Sequence, residues 1–202
     1  NGDKVQALNA KTLLPHAEFT VQGVQYLNHQ SIKLYLSGDF STLKKGDDIE
    51  NISRSATLIF RGNRLEFNRA RGMLIATRGR VLIENNYFCT SGSAIKFESD
   101  GEFWFESGAT EDVSILNNTF YRCKYGDWGT AVIEFQPRTA TVPEEYYHKK
   151  ICIENNKFDL HTENAMVLDN IRELTIKKNQ FTNHKPKITT RHIGKYIEDF
   201  KT

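Results

Sequence analysis

The chain has 202 residues, of which 39% are hydrophobic and 26% are charged, and its formal net charge at pH 7 is +2. This composition is typical of an ordinary soluble protein with enough apolar side chains for one elongated core. The net charge is small and the basic residues are interspersed with acidic ones, so a nucleic-acid partner is not predicted. The sequence has no run of 18 apolar residues, so a membrane span is not predicted either.

The first fifty residues predict short strands separated by turns. Residues 5–8, 19–24 and 32–36 carry strand-forming patterns, with turns that contain Pro, Asn or Gly between them. We interpret residues 1–50 as a small antiparallel β-barrel or sandwich. The chain begins on a turn inside this strand pattern, and we therefore expect it to be part of a longer protein.

Residues 51–185 contain five copies of one short phrase, apolar-x-apolar-x-x-Asn-x-apolar. Its asparagines are Asn63, Asn86, Asn118, Asn156 and Asn179. Two residues after them come Leu65, Phe88, Phe120, Phe158 and Phe181. The gaps between successive asparagines are 23, 32, 38 and 23 residues, so the basic unit is about 23 residues long and two copies carry insertions.

Apolar residues at alternate positions indicate strands with one buried face, and a unit this short cannot bury that face alone. Stacked strands lie about 4.8 Å apart, so each phenylalanine would pack on the next and each Asn amide would bond its neighbours. Asparagine also tolerates the left-handed or bent backbone that is needed where the coil turns a corner. We predict an all-β fold, a right-handed parallel β-helix. A leucine-rich repeat is the alternative, but it needs Leu at several fixed positions and a helical side.

Each unit carries a second strand after its turn, which would form another wall of the coil. These strands are residues 72–75, 94–97, 131–135 and 165–168. The outward face of such an array makes a long groove, where solenoid proteins commonly bind ligands. For residues 186–202 we predict a C-terminal cap or linker, in which residues 196–200 fold over the last rung or begin the next module.

The cysteines and histidines lack the spacing of a metal or redox site. The cysteines are Cys89, Cys123 and Cys152, interpreted either as buried thiols or as partners in a disulfide between neighbouring rungs. The histidines, scattered over turns, are His16, His29, His148, His161, His184 and His192. We predict no metal site, and we expect no cofactor.

Three stretches of the sequence carry a specific resemblance to a known family. They are residues 68–86 (NRARGMLIATRGRVLIENN), 98–109 (ESDGEFWFESGA) and 125–129 (YGDWG). Through them the chain resembles glycoside hydrolase family 110, namely the C-terminal part of its catalytic region. The N-terminal strands, with residues 11–15 (KTLLP) and 43–51 (LKKGDDIEN), are similar to the barrel that this family inserts into its β-helix. The resemblance covers nearly the whole chain.

The resemblance implies a bacterial, secreted or periplasmic exo-α-1,3-galactosidase that removes terminal α-linked galactose from glycans with inversion at the anomeric carbon. Inversion needs one carboxylic acid to protonate the leaving oxygen and one carboxylate to activate water. The family's proposed carboxylates are a single Asp and, one rung later, an Asp-Asp pair, and this chain has no such rungs. The adjacent Asp47 and Asp48 are explained by a Gly-Asp turn. We therefore expect the catalytic acids to lie upstream and the chain alone to be inactive.

Comparison by rung suggests substrate-binding residues on the second strands. If the family's Asp-Asp-Ala strand is aligned with residues 70–72, Arg71 takes the place of the second Asp on the next rung, about 5 Å away. Arg69 or Arg71 would then pair with a catalytic carboxylate or hold a sugar hydroxyl. A cross-rung ion pair with Glu66 is the alternative.

The next rung and its loops supply further candidates for binding the glycan. They are Lys96, Glu98, Asp100, Trp104, Glu106 and Trp128. Glu98 and Asp100 are also weak candidates for a catalytic role. Aromatic rings beside acids suit a sugar, whose C–H face stacks on a ring while its hydroxyls donate to a carboxylate. Packing of the loop against the coil is the alternative, and it is the one we expect for Phe103 and Phe105.

Two other classes of function stay open. A polysaccharide lyase or other β-helix glycosidase is the first; lyases on this fold generally need a calcium-binding acidic cluster, and only Glu98 and Asp100 come near one. The second is a non-catalytic β-helix that serves as a carbohydrate-binding or structural module. Calcium dependence would favour the first, and sugar binding without turnover the second. Strand edges exposed at a cut end also suggest a homodimer.

Overall fold

The computed structural model describes residues 1–161, 164–182 and 185–199. The regular elements in these ranges are all β-strands, and the predicted all-β class is confirmed. The strands are β1 (Lys4–Leu8), β2 (Pro15–Tyr26), β3 (Ile32–Ser37), β4 (Asp48–Asn51), β5 (Leu58–Arg61), β6 (Arg64–Glu66), β7 (Arg71–Ile75), β8 (Val81–Glu84), β9 (Tyr87–Cys89), β10 (Ser93–Phe97), β11 (Asp112–Leu116), β12 (Thr119–Tyr121), β13 (Ile133–Phe135), β14 (His148–Glu154), β15 (Lys157–Asp159), β16 (Asn164–Lys177), β17 (Gln180–Thr182) and β18 (Lys187–Asp199).

The first four strands form an antiparallel sheet in the order β3-β2-β1-β4. Alternate residues of β1 and β2 point to one face, where Val5, Ala7, Phe19 and Val21 are buried together. This sheet therefore has a small core of its own. Its closure into a barrel or a sandwich stays a prediction.

The remaining strands form three walls of parallel strands around one elongated core. The first wall contains β5, β8, β11, β14 and the C-terminal half of β16. The second wall contains β7, β10, β13 and the N-terminal half of β16. The third wall contains β6, β9, β12, β15 and β17. On each turn the chain visits the first, the third and then the second wall, which is the parallel coil that the repeats predict.

The last described strand continues this coil. β18 pairs in parallel with β16 along both of the walls that β16 joins, from Met166 beside Ile188 to Lys177 beside Asp199. Residues 187–199 of the segment predicted as a cap or linker thus pair with the last turn as a strand, and the role of cap or linker stays a prediction. Phe200, the end of the predicted covering segment, lies outside the described residues.

The repeat phenylalanines form a column of stacked rings inside the coil. The ring centroids of Phe88, Phe120, Phe158 and Phe181 follow one another at 5.2, 4.7 and 4.7 Å, with interplanar angles of 12°, 18° and 13°. Aromatic pairs in this range stabilise a core by about 1 kcal/mol beyond the area that they bury. The predicted column is confirmed, and it holds the third wall in register.

The repeat asparagines form a continuous ladder beside this column. From Asn86 onward, each Oδ1 atom accepts hydrogen bonds from the side-chain amide and the backbone N–H of the asparagine one turn earlier, and the backbone bonds measure 2.8, 3.0, 2.9 and 3.0 Å. The amide of Asn118 also donates to the carbonyl oxygen of Ile83 at 2.9 Å. The buried side chains of Asn86, Asn118 and Asn156 are therefore fully hydrogen-bonded, as buried amides need to be.

The left-handed residue at this corner is the one before each ladder asparagine. Asn85, Asn117 and Asn155 have φ angles of 55°, 55° and 57°, and Gly62 and Lys178 hold the equivalent places at 67° and 52°. Of the left-handed or bent backbone suggested for the ladder asparagine, the left-handed form belongs to the residue before it. The ladder residue has to aim its amide along the stack, so its neighbour turns the chain instead.

Candidate functional site

The second wall carries a groove of about 310 Å³ on its outward face. Parallel pairing sets Arg71 beside Ser93, and it sets Lys96 between Leu74 and Glu134 on the adjacent turns. The loops that follow β10, β12 and β13 rise around these strands. The groove is lined by Ala70, Arg71, Ser93, Lys96, Glu98, Trp104, Trp128, Gly129 and Arg138.

Two tryptophans supply the exposed aromatic surface of the groove. Trp104 is 65% exposed and Trp128 is 51% exposed. The ring of Trp104 meets that of Phe103 edge to face with centroids 4.8 Å apart, and the Arg69 guanidinium carbon lies 5.7 Å from the ring centroid of Trp128. Phe103 and Phe105 are both exposed, so the expectation that they pack against the coil is wrong.

Gly92 allows Trp128 to lie against the second wall. A Cβ atom at residue 92 would stand 1.7 Å from the carbonyl oxygen of Ala70 and 2.8 Å from the Cβ of Trp128. Any larger residue would force the neighbouring turn or the tryptophan to move. The glycine therefore helps to set the width of the groove.

The floor of the groove is a chain of alternating charges. Lys96 Nζ lies 3.1 Å from Glu98 Oε2, and Arg138 Nε lies 3.5 Å from Glu98 Oε1. Arg138 Nη1 also lies 3.4 Å from Asp100 Oδ2. The arginine thus bridges the two acids on which a calcium site would depend.

The two arginines at the start of β7 are placed differently from each other. Arg71 lines the groove, whereas Arg69 is exposed beside it and contacts Trp128. The alternative ion pair between Arg71 and Glu66 does not form, because Glu66 pairs with Arg64 at 2.5 Å. Within the part of the chain that the structure describes, Arg71 makes no ion pair, so its guanidinium is available to a ligand.

Asp100 and Glu106 form the base of the loop that carries Trp104. Their backbone groups exchange hydrogen bonds of 2.8 and 3.0 Å. The Asp100 carboxylate accepts the backbone N–H groups of Phe103 and Glu102 at 3.0 and 2.8 Å, and these bonds hold its pKa below the ordinary value. Asp100 is 2% exposed. Both residues therefore shape the loop and do not line the groove.

Five of the eight predicted site residues thus line one groove. They are Arg71, Lys96, Glu98, Trp104 and Trp128. Their contact with a substrate stays a prediction.

Sequence reasoning missed two charged residues at this site. Arg138 lies in the loop after β13, where no periodic signal marks it. Glu134 is fully buried below the groove, and its Oε2 atom lies 3.8 Å from Lys96 Nζ. A signal for Glu134 did exist, because it occupies the register position of Lys96 one turn later.

Comparison with known proteins decides the family. A sequence profile described as "Right handed beta helix region" matches residues 19–199. The chain belongs to this right-handed β-helix family. Among curated relatives, it is 33% identical to the alpha-1,3-galactosidase A of Akkermansia muciniphila over 93% of this chain and 31% of that protein.

Two further relatives of this β-helix chain carry the same kind of name. It is 34% identical to alpha-1,3-galactosidase B of Akkermansia muciniphila over 87% of the chain and 23% of that protein. It is 35% identical to alpha-1,3-galactosidase A of Bacteroides fragilis over 78% of the chain and 27% of that protein. These relatives confirm the resemblance to the galactosidase family. The chain spans between about a quarter and a third of the length of the curated relatives it matches.

The cysteines of the β-helix are free thiols. Cys89 and Cys123 are buried and Cys152 is half-buried, so the disulfide alternative is wrong. Burial raises the pKa of Cys123 to about 12, which keeps it protonated and unreactive.

His148 is the histidine whose environment departs most from the expected turn. It opens β14 and is buried. His16 lies in β2 and His192 in β18, so the assignment of these three histidines to turns is wrong. His184 lies outside the described residues.

The described ranges contain no group of three or more metal-binding side chains, and no helix in them is long and apolar enough to cross a bilayer.

Proposed function

We propose that the chain forms part of an exo-acting α-1,3-galactosidase and that the groove on the second wall binds the terminal α-galactosyl group of a glycan. The observation that carries this proposal is the groove itself, in which two exposed tryptophans stand around a charged floor. The groove lies on a β-helix chain whose relatives are named alpha-1,3-galactosidases, and this supports a galactosyl glycan as the substrate class.

The chemistry of the groove suits a neutral sugar. A pyranose presents C–H groups on one face and hydroxyls around its edge, so it needs an aromatic surface together with donors and acceptors. Trp104 and Trp128 provide the aromatic surface. Arg71 and Lys96 provide donors, and Glu98 provides an acceptor held in place by its two cations.

We further propose that hydrolysis proceeds with inversion and that its two carboxylates lie on rungs of the parent protein outside these 202 residues. An inverting enzyme needs one protonated acid and one carboxylate base across the sugar. Asp100 is a poor proton donor, because the backbone hydrogen bonds to its carboxylate lower its pKa. Glu98 sits between Lys96 and Arg138, and both of its carboxylate oxygens are engaged in ion pairs with them.

Replacing Trp104 or Trp128 with Ala should weaken binding of an α-1,3-galactosyl disaccharide about tenfold, because each change removes about 1–2 kcal/mol of stacking and apolar contact. Titration calorimetry on the 202-residue chain would measure the dissociation constants. Tyr26→Ala is the matched control, since Tyr26 is 81% exposed on the N-terminal sheet and does not line the groove. Equal affinities of the wild type and both tryptophan variants would contradict the proposal.

The 202-residue chain should release galactose from the same disaccharide only at the background rate, because the proposed carboxylates are absent from it. Anomer-resolved NMR would follow the products. Turnover above background would contradict the proposed position of the catalytic acids. Binding without turnover by the longer parent protein would instead assign a glycan-binding module.

A further inference from the structure

We infer that Glu134 and Lys96 form a hydroxyl-binding subsite at the floor of the groove. In this subsite one hydroxyl of the bound sugar donates to Glu134 Oε2 and accepts from Lys96 Nζ. The inference rests on the proposed function, since it adds a fixed polar contact to the same groove. It assigns a binding role to Glu134, which is not among the site residues predicted from the sequence.

The two oxygens of Glu134 have different surroundings. Oε1 accepts hydrogen bonds from Ser93 Oγ at 2.5 Å and from the backbone N–H groups of Thr130 and Ala131 at 2.5 and 2.9 Å. Oε2 is fully buried and has no hydrogen-bond partner among the described residues. A buried carboxylate oxygen without a hydrogen-bond partner is costly, and in a native protein it points to a bound water, an ion, a ligand or a catalytic role.

The loop between β12 and β13 is shaped around this carboxylate. Gly129 has a φ angle of 78°, and a Cβ atom there would lie 1.9 Å from Ser93 Oγ and 2.6 Å from Glu134 Oε1. Only glycine fits this position without displacing the pair. Ser93 and Gly129 both line the groove, so the carboxylate is held directly beneath its surface.

The free oxygen faces a cation at a distance that leaves room for a bridging group. Lys96 Nζ lies 3.8 Å from Glu134 Oε2, which is too far for a hydrogen bond, and 3.1 Å from Glu98 Oε2. A hydroxyl both donates and accepts, so it satisfies the carboxylate and the ammonium together. An anionic ligand would meet two carboxylates here, so the site favours a neutral polyol such as a sugar.

Glu134→Gln tests the subsite with little change in shape. The amide oxygen can keep the three hydrogen bonds made at Oε1, and an NH₂ group replaces the free acceptor. We expect the dissociation constant for an α-1,3-galactosyl disaccharide to rise at least tenfold, the usual effect of losing a buried hydrogen bond to a charged group, about 1.5–3 kcal/mol. Glu84→Gln is the matched control, because Glu84 pairs with Arg61 on the first wall and should leave affinity unchanged.

A series of disaccharides that each lack one hydroxyl of the galactosyl residue separates binding from a structural role. One member of the series should bind the wild type and Glu134→Gln with equal affinity, whereas the others should keep the tenfold difference. Lys96→Gln is a second test variant that leaves Glu134 in place. The same deoxy compound should also bind Lys96→Gln and the wild type with equal affinity. A uniform loss across the series would overturn the subsite.

The outcomes distinguish this inference from the proposal on which it rests. If the wild type binds, Trp104→Ala weakens binding and Glu134→Gln stays within twofold, the subsite is wrong and the groove proposal stands. If the wild-type chain does not bind the disaccharide, both are wrong. If both variants weaken binding and one deoxy compound cancels the effect of Glu134→Gln, both are supported.

Discussion

Replacing Asn118 with Ala is expected to lower the free energy of unfolding by about 3–5 kcal/mol, because several buried hydrogen bonds are lost together. Asn118 Oδ1 accepts from the backbone N–H and the amide of Asn86, both at 3.0 Å. Its own amide donates to Ile83 O at 2.9 Å and to Asn156 Oδ1 at 3.0 Å. The substitution therefore leaves buried groups on two neighbouring turns without partners.

Asn63→Ala is the matched control at the end of the ladder. Asn63 is exposed, and its side chain makes fewer bonds within the ladder, so its loss should cost about 1 kcal/mol. Urea denaturation followed by circular dichroism would measure both variants. Equal losses at Asn63 and Asn118 would contradict the claim that burial of the ladder sets its contribution.

Lowering the pH from 6.5 to 4.5 is expected to remove about 2 kcal/mol of stability through His148 alone. His148 is fully buried, and burial, assisted by the positive charge of Lys149, lowers its pKa to about 3. Its Nδ1 atom lies 2.7 Å from Thr110 Oγ1, and its ring meets that of Phe135 edge to face at 5.4 Å. The fold therefore accommodates the neutral ring, and among the described residues its Nε2 atom has no hydrogen-bond partner.

The sign follows from proton binding in the two states. Below the ordinary pKa of about 6.5, His148 is protonated in the unfolded chain, whereas in the folded chain it stays neutral down to about pH 3. The free energy of unfolding therefore falls as the pH falls, by about 1.4 kcal/mol per pH unit between these two pKa values. His148→Gln keeps an amide oxygen as a partner for Thr110 and cannot take up this proton. The difference between the two stability curves isolates His148 from the titrating carboxylates. Parallel curves for wild type and variant between pH 6.5 and 4.5 would contradict the prediction.

The periodic part of the fold is the part that the sequence predicts best. The Asn and Phe positions recur with a fixed local spacing, so their stacking follows from strand geometry alone. The outward placement of Lys96 follows in the same way from its buried neighbours Ile95 and Phe97. Such features depend only on residues that are close in sequence or equivalent in the repeat.

For some residues the periodic pattern predicts the wrong exposure, because a neighbouring loop sets their environment. Glu134 alternates with buried neighbours and would be solvent-exposed on an open wall, but the loop that contains Gly129 folds back over it and supplies two backbone donors. Asp100 continues the outward alternation of Lys96, yet it ends the strand and turns into the following loop. Neither loop conformation can be derived from a pattern of two-residue period.

The ladder fixes the pitch of the coil whatever length of chain lies between its asparagines. Links that span 23, 32, 38 and 23 residues have backbone nitrogen to Oδ1 distances of 2.8, 3.0, 2.9 and 3.0 Å. The extra residues of the two longer links include the loops that carry Trp104 and Trp128. A groove wall can therefore lengthen, shorten or be exchanged while the strands beneath it keep their register. Within such a family, changes in the loops can alter substrate preference while the register of the strands stays the same.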